Sequence, residues 1–150
     1  MRKFIVFCGL CALVLSSCGL KGSGEVVKGP QLLTVEFVGQ QDSVFQNNTK
    51  GKVKLFAVPA NVADVSATMI DEVDFDTSHV PFIVDLEIPM DHLTMIKPEV
   101  QEGDSIKYYV SMDWDTNGDG QIDSMDMAID FDRQFPDIDI NQLHHQIFIK

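Results

Sequence analysis

Residues 115–126 read DTNGDGQIDSMD. Asp115, Asn117, Asp119, Gln121 and Asp123 stand at alternate positions, Asp126 follows, and Gly120 occupies the sixth place. Such a layout suits a hard cation. Calcium takes six to eight oxygens at roughly 2.3–2.6 Å, and one short segment can wrap them around a single ion only by turning sharply near its middle, where a glycine relieves the backbone. Counting Asp115 as place 1, side chains fall at places 1, 3, 5, 9 and 12, and Gln121 offers its carbonyl at place 7. One Ca²⁺ is therefore the expected cofactor, held by Asp115, Asn117, Asp119, Gln121, Asp123 and Asp126.

These are the ligand places of an EF-hand-like loop, and the wording is similar to the calcium loops of dockerin modules, which also carry Asp at place 12. Ile122, at place 8, is where such loops put an apolar anchor. EF-hand and dockerin loops lead into a helix, whereas Met125, Met127, Ile129 and Phe131 alternate with Asp126, Asp130 and Asp132 as a strand would. A strand-loop-strand hairpin that borrows the calcium loop is the expectation, although Ile122, Met125 and Ile129 also fit a helical spacing. The competing reading is a solvated acidic turn that uses Asn-Gly and Asp-Gly for their geometry alone. Against it, four carboxylates within twelve residues repel one another in an empty turn, and a plain turn has no need of Asp123 and Asp126.

Other chemistry is sparse. His144 and His145 are adjacent, so on a strand they point to opposite faces and do not chelate together. His79 and His92 lie near carboxylates, as chance provides in so acidic a chain. No Ser-His-Asp order or phosphate-cradling glycine loop is present, and an enzyme is not expected. Asp130, Asp132, Asp137 and Asp139 read as a solvated face. Met90, Met95, Met112, Met125 and Met127 read as core and rim fillers.

The elements that must position the loop alternate with period two. Leu33, Val35 and Phe37 form one apolar series; Val65, Ala67 and Met69 another; Phe82, Val84, Leu86 and Ile88 a third. Ile106, Tyr108, Val110, Met112 and Trp114 continue the pattern. Residues 53–58, 125–131 and a last run through Leu143, His145, Ile147 and Ile149 bring the count to about seven strands. Short alternating runs separated by turn residues predict an all-β fold, an antiparallel β-sandwich. Residues 91–102 have room for one helical turn before Pro98.

The N-terminus sets the compartment. Arg2 and Lys3 precede an apolar run, Phe4 to Leu15, that is too short to span a bilayer, and residues 1–17 read as a secretory signal. Leu15-Ser16-Ser17-Cys18 resembles the lipobox of bacterial lipoproteins, which implies cleavage before Cys18 and lipidation of its thiol. An ordinary signal with an incidental Cys18 is the alternative. Gly19 after the cysteine implies, by the same resemblance, the outer membrane facing the periplasm. Cys8 and Cys11 would leave with the signal, so the mature domain would hold neither a disulfide nor a free thiol. Residues 18–31 read as the lipidated cysteine and a flexible tether, and 32–150 as one domain. Loss of Arg2 and Lys3 takes the formal charge from −12 to −14, with 9 basic against 23 acidic residues. That charge is repelled by nucleic acid and anionic head groups, so membrane attachment is assigned to the acyl chains.

The stretch VPFIVDLEIPMDHLTMIKPEVQEGDSIKYYVSMDWD resembles the central segment of small bacterial lipoproteins of the YscW and YbaY type, which include type III secretion pilotins. Pro81-Phe82 opens a strand, Asp91 and Ile96-Lys97-Pro98 follow it, and Tyr108 and Val110 mark the next; Pro59 and Ala60 match the upstream pair. The resemblance covers about residues 51–114. It implies a β-sandwich lipoprotein and, for pilotin members, binding of an outer-membrane secretin subunit. The function expected is a lipid-anchored envelope binding or assembly module, pilotin- or chaperone-like; the alternative is a calcium-stabilised recognition or adhesion module.

Overall fold

A computed structural model describes residues 29–39, 49–101, 103–123, 126 and 137–149. The signal, Cys18 and most of the tether lie outside the described residues. Seven strands and one short helix follow in order: β1 (Gln31–Gly39), β2 (Lys50–Pro59), β3 (Thr68–Asp76), β4 (Phe82–Ile88), α1 (His92–Met95), β5 (Ile106–Trp114), β6 (Asp137–Ile138) and β7 (His144–Ile149).

They form two sheets, ordered β4-β1-β7 and β3-β2-β5-β6. Alternation accounts for the buried faces. Leu33, Val35 and Phe37 of β1, Val84, Leu86 and Ile88 of β4, and Ile147 and Ile149 of β7 line one side of the core. Val53, Leu55 and Ala57 of β2 meet Tyr108, Val110, Met112 and Trp114 of β5 on the other. Each large apolar side chain removed from water contributes roughly 1.5–3 kcal/mol, and that gain selects this parity over a one-residue slip.

Three departures from the sequence expectation have physical causes. The pairing is antiparallel except between β1 and β7, which run parallel with Thr34 opposite His144 and Phe37 opposite Ile147. First and last strands have the whole domain as their connection, so no tight turn forces them antiparallel. The strand expected through Val65, Ala67 and Met69 instead starts at Thr68, and Met69 is 48% exposed. A register irregularity at Leu55/Phe56 lets Ile70 turn inward, and Val73 and Phe75 then pack against the core. Ile70 and Val73 are an odd number of residues apart, which hides the strand from a period-two reading. Finally, the two-residue β6 had no periodic signal, and the expected strand over 125–131 lies, apart from Asp126, outside the described residues.

The predicted single helical turn is α1. His92 fastens it, one ring nitrogen 2.8 Å from the Pro89 carbonyl and the other 2.9 Å from the Tyr108 hydroxyl. Lys97 donates its backbone N–H to Thr68 Oγ1 at 2.9 Å, tying the helix exit to β3. Of the methionines read as fillers, Met112 is buried, whereas Met90 and Met95 are exposed because they sit outside the strand parity.

Gly51 of β2 is required by close approach. A Cβ there would strike the Phe75 ring and lie 2.6 Å from the Asp113 carbonyl oxygen. Gly51→Ala should therefore destabilise the domain by about 1–3 kcal/mol, measured by urea unfolding; an unchanged midpoint would show that the ring and the β5 backbone yield freely.

Candidate calcium loop

The loop hangs from a fully buried residue of the core. Trp114, the last residue of β5, is fully buried, its ring 5.7 Å from Phe75 and 5.3 Å from Phe82. Phe82 also stacks on Phe37 at 4.9 Å. The Asp115 N–H donates to the Lys50 carbonyl at 2.9 Å, carrying the β2–β5 ladder one residue past Trp114. Place 1 is thereby set by the sheet.

Asp115 is 8% exposed, and its carboxylate organises the turn. Oδ1 accepts the N–H groups of Gly118 at 2.8 Å and Asp119 at 3.2 Å, and Oδ2 accepts that of Gly120 at 2.8 Å. Gly118 and Gly120 have φ of 75° and 85°, where a Cβ would be strained. Asn117 Oδ1 accepts the Asp119 N–H, and Asp119 Oδ1 accepts the Gln121 N–H, each at 2.8 Å.

Asp126 closes the loop from the far end. Its Oδ1 accepts the N–H groups of Thr116 at 2.9 Å and Asn117 at 3.4 Å and the Thr116 hydroxyl at 3.4 Å. Its Oδ2 accepts the Asp123 N–H at 2.9 Å. The Asp123 amide, followed by those of Asn117 and Thr116, holds the Asp126 carboxyl below its ordinary value. Places 1 and 12 thus meet across the turn through the same short stretch of backbone.

Six expected ligands, Asp115, Asn117, Asp119, Gln121, Asp123 and Asp126, therefore belong to one folded turn. The carboxylates of Asp115, Asp119 and Asp126 are turned onto the loop's own amides, and among the described residues no three His, Cys, Asp or Glu side chains group closely enough to surround a metal ion. The donor chemistry still suits calcium. A carboxylate offers about four lone-pair sites, of which Asp115 uses three, leaving Oδ2 one acceptor position, whereas Asp126 accepts four contacts, three of them on Oδ1. Ile122 is 56% exposed and does not anchor the turn among the described residues. The sequence reading missed Thr116, whose amide and hydroxyl both serve Asp126, because a threonine at place 2 carries no ligand signal.

The adjacent histidines of β7 do not converge. His144 Nε2 is 3.5 Å from Glu36, while a His145 ring nitrogen is 2.9 Å from the Asp139 carbonyl, so the two point apart as expected. Asp139 accepts the backbone and side-chain N–H groups of Asn141, which hold its carboxyl low.

No family model and no curated protein sequence matches the chain. Among solved structures it is similar to an alternative pilotin from the type II secretion system of Vibrio cholerae. That likeness has 18% identity and a TM-score of 0.56 and covers 80% of this chain and 95% of the pilotin. The fold is thus pilotin-like.

The hydrogen bonds at Asp126 imply a pH dependence. Its folded carboxyl binds a proton less readily than the unfolded reference of 3.8. Its contribution to loop order is complete above 3.8 and is lost as pH falls through the lower folded value. Carboxyl-carbon NMR in chelator should give Asp126 a midpoint below 3.8; a midpoint at or above it would mean that these amide contacts do not persist in solution.

Proposed function

We propose that this protein is a lipid-anchored, non-enzymatic binding and assembly module of the bacterial envelope, acting in a pilotin-like way on a larger envelope protein such as a secretin subunit. The observation that carries the reading is the pilotin-like fold extending over 80% of the chain. The lipobox-like Leu15-Ser16-Ser17-Cys18 supports it independently, since it supplies the anchor an envelope module needs. Residence at the outer membrane, facing the periplasm, follows from Gly19 after the cysteine. A fold hosts many functions, so a partner is the decisive test.

Two or three acyl chains give durable anchoring where one gives only marginal binding. Cys18→Ala should therefore move the protein from the membrane pellet to the soluble periplasmic fraction. In the same preparation, tagged wild-type protein should retain a specific envelope protein after mild detergent extraction. Unchanged membrane retention of the variant would overturn the lipid anchor, and recovery of nothing beyond the tag control would overturn the binding role.

The loop 115–126 is proposed to hold one Ca²⁺ through Asp115, Asn117, Asp119, Asp123 and Asp126 and the Gln121 carbonyl. When bound, the ion would supply charge neutralisation among crowded carboxylates, a structural role. Asp115 and Asp126 orient the turn through the amides of Gly118, Gly120 and Asp123. Magnesium should compete poorly, because it demands a tighter octahedral shell and releases water reluctantly. Affinity should be on the order of 10⁻⁵ to 10⁻³ M for an unpaired loop with Asp at place 12. At tenfold the dissociation constant the ion stabilises the fold by about 1.4 kcal/mol. Calorimetric titration and melting with calcium against chelator decide the matter. Absence of both binding heat and a melting shift, or an Asp119→Ala variant equal to wild type in both, would leave only an acidic turn.

A further inference from the structure

The outer faces of the two sheets differ in charge. On β3-β2-β5, Lys52 reaches Glu72 at 2.5 Å and Asp74 at 3.3 Å, and Lys54 reaches Asp113 at 2.6 Å and Glu72 at 3.9 Å. That face neutralises its own carboxylates. The outer face of β4-β1-β7 is built from Ile83, Asp85 and Glu87, from Leu32, Thr34, Glu36 and Val38, and from His144, Gln146 and Phe148. Among these described positions there is no lysine or arginine.

Cross-strand register arranges this face in rows. Glu87 lies opposite Leu32; Thr34 lies between Asp85 and His144; Glu36 lies between Ile83 and Gln146; Val38 lies beside Phe148. Thr34 donates its hydroxyl to Asp85 at 2.6 Å and the Gln146 amide donates to Glu36 at 2.7 Å, so neutral donors orient two of the carboxylates without cancelling them. Among the described positions of this face the one basic side chain is His144, 3.5 Å from Glu36. Ile83 is 60%, Phe148 63% and Leu32 47% exposed, large apolar side chains at outward strand positions. Carboxylates interleaved with exposed apolar groups on a sheet face suit a partner carrying the opposite charge and the same apolar content.

We infer that the outer face of β4-β1-β7 docks a cationic amphipathic segment of a partner protein, with lysine or arginine set against Glu36, Asp85 and Glu87 and apolar side chains set against Ile83 and Phe148. This deepens the proposed binding role and rests on it. Charge complementarity selects the occupant. A second copy presenting the same face would set carboxylates against carboxylates, and an anionic lipid surface would be repelled.

The probe is a short peptide of alternating lysine and leucine, titrated into the mature protein and followed by amide NMR, with an alternating glutamate and leucine peptide as control. Binding should shift residues of β4, β1 and β7, and should weaken at least about tenfold between about 0.02 M and about 0.5 M salt. Two surface variants, Glu36→Gln/Asp85→Asn/Glu87→Gln and Ile83→Ser/Phe148→Ser, should each weaken it by about tenfold or more while retaining the wild-type spectrum elsewhere. Asp64→Asn/Asp76→Asn/Glu99→Gln, which removes the same charge elsewhere, should bind like wild type. The inference is overturned if the shifts centre on residues 115–126 or on the other sheet, if the distant variant loses as much as the facial one, or if neither facial variant weakens binding. It is equally overturned if zwitterionic vesicles or self-association occupy the face in the peptide's place. The native partner, once retrieved with wild-type protein, separates the two claims. Retrieval unaffected by the facial variants sinks this surface and leaves the binding role standing, whereas no retrieval by any form sinks the binding role itself.

Discussion

The contact on which the rest of the domain depends is the aromatic cluster of Phe37, Phe75, Phe82 and Trp114. Phe37 and Phe82 belong to one sheet, Phe75 and Trp114 to the other, and ring centroids stand 4.8–5.7 Å apart from Phe37 through Phe82 to Phe75 and Trp114. Aromatic pairs in stacked and edge-on arrangements contribute about 0.5–1.5 kcal/mol each beyond their burial. Here they also lock the two sheets face to face. The cluster makes the close approach at Gly51 necessary, because the Phe75 ring occupies the space a side chain would need.

The same cluster fixes where loop chemistry starts. With Trp114 immobile in the core, Asp115 emerges at a defined point, its backbone already bonded to Lys50. A carboxylate presented there can gather the amides of Gly118, Asp119 and Gly120, and the chain must turn sharply to deliver them. Loop and core are thus coupled by one peptide bond. The first residue of the loop follows directly on the chain's single tryptophan.

Surface charge is divided by sheet. Lysines on β2 stand across from carboxylates on β3 and β5, and the strong negative balance of the chain is left on the other sheet and the loops. Exposed ion pairs of this kind contribute little to stability, about 0–1 kcal/mol each. Their consequence is for recognition, since one face is electrically quiet and the other retains its field.

Much of this was legible in the residues alone. Strict alternation in β1, β4 and β5 marked both element and buried face, because a one-sided sheet leaves no other periodicity available. The spacing of Asp115, Asn117, Asp119, Gln121, Asp123 and Asp126 likewise marked a single wrapped turn with Gly120 at its bend. What the tertiary structure decided was everything that depends on which strands become neighbours. The parallel pairing of β1 with β7 joins residues more than a hundred positions apart, and no local pattern encodes it. The irregularity at Leu55/Phe56 broke the period that would have announced β3. The acidic character of the β4-β1-β7 face, which has no lysine or arginine among its described outward positions, exists only once three distant strands lie side by side, because charge balance is a property of a surface, and a surface is assembled by packing.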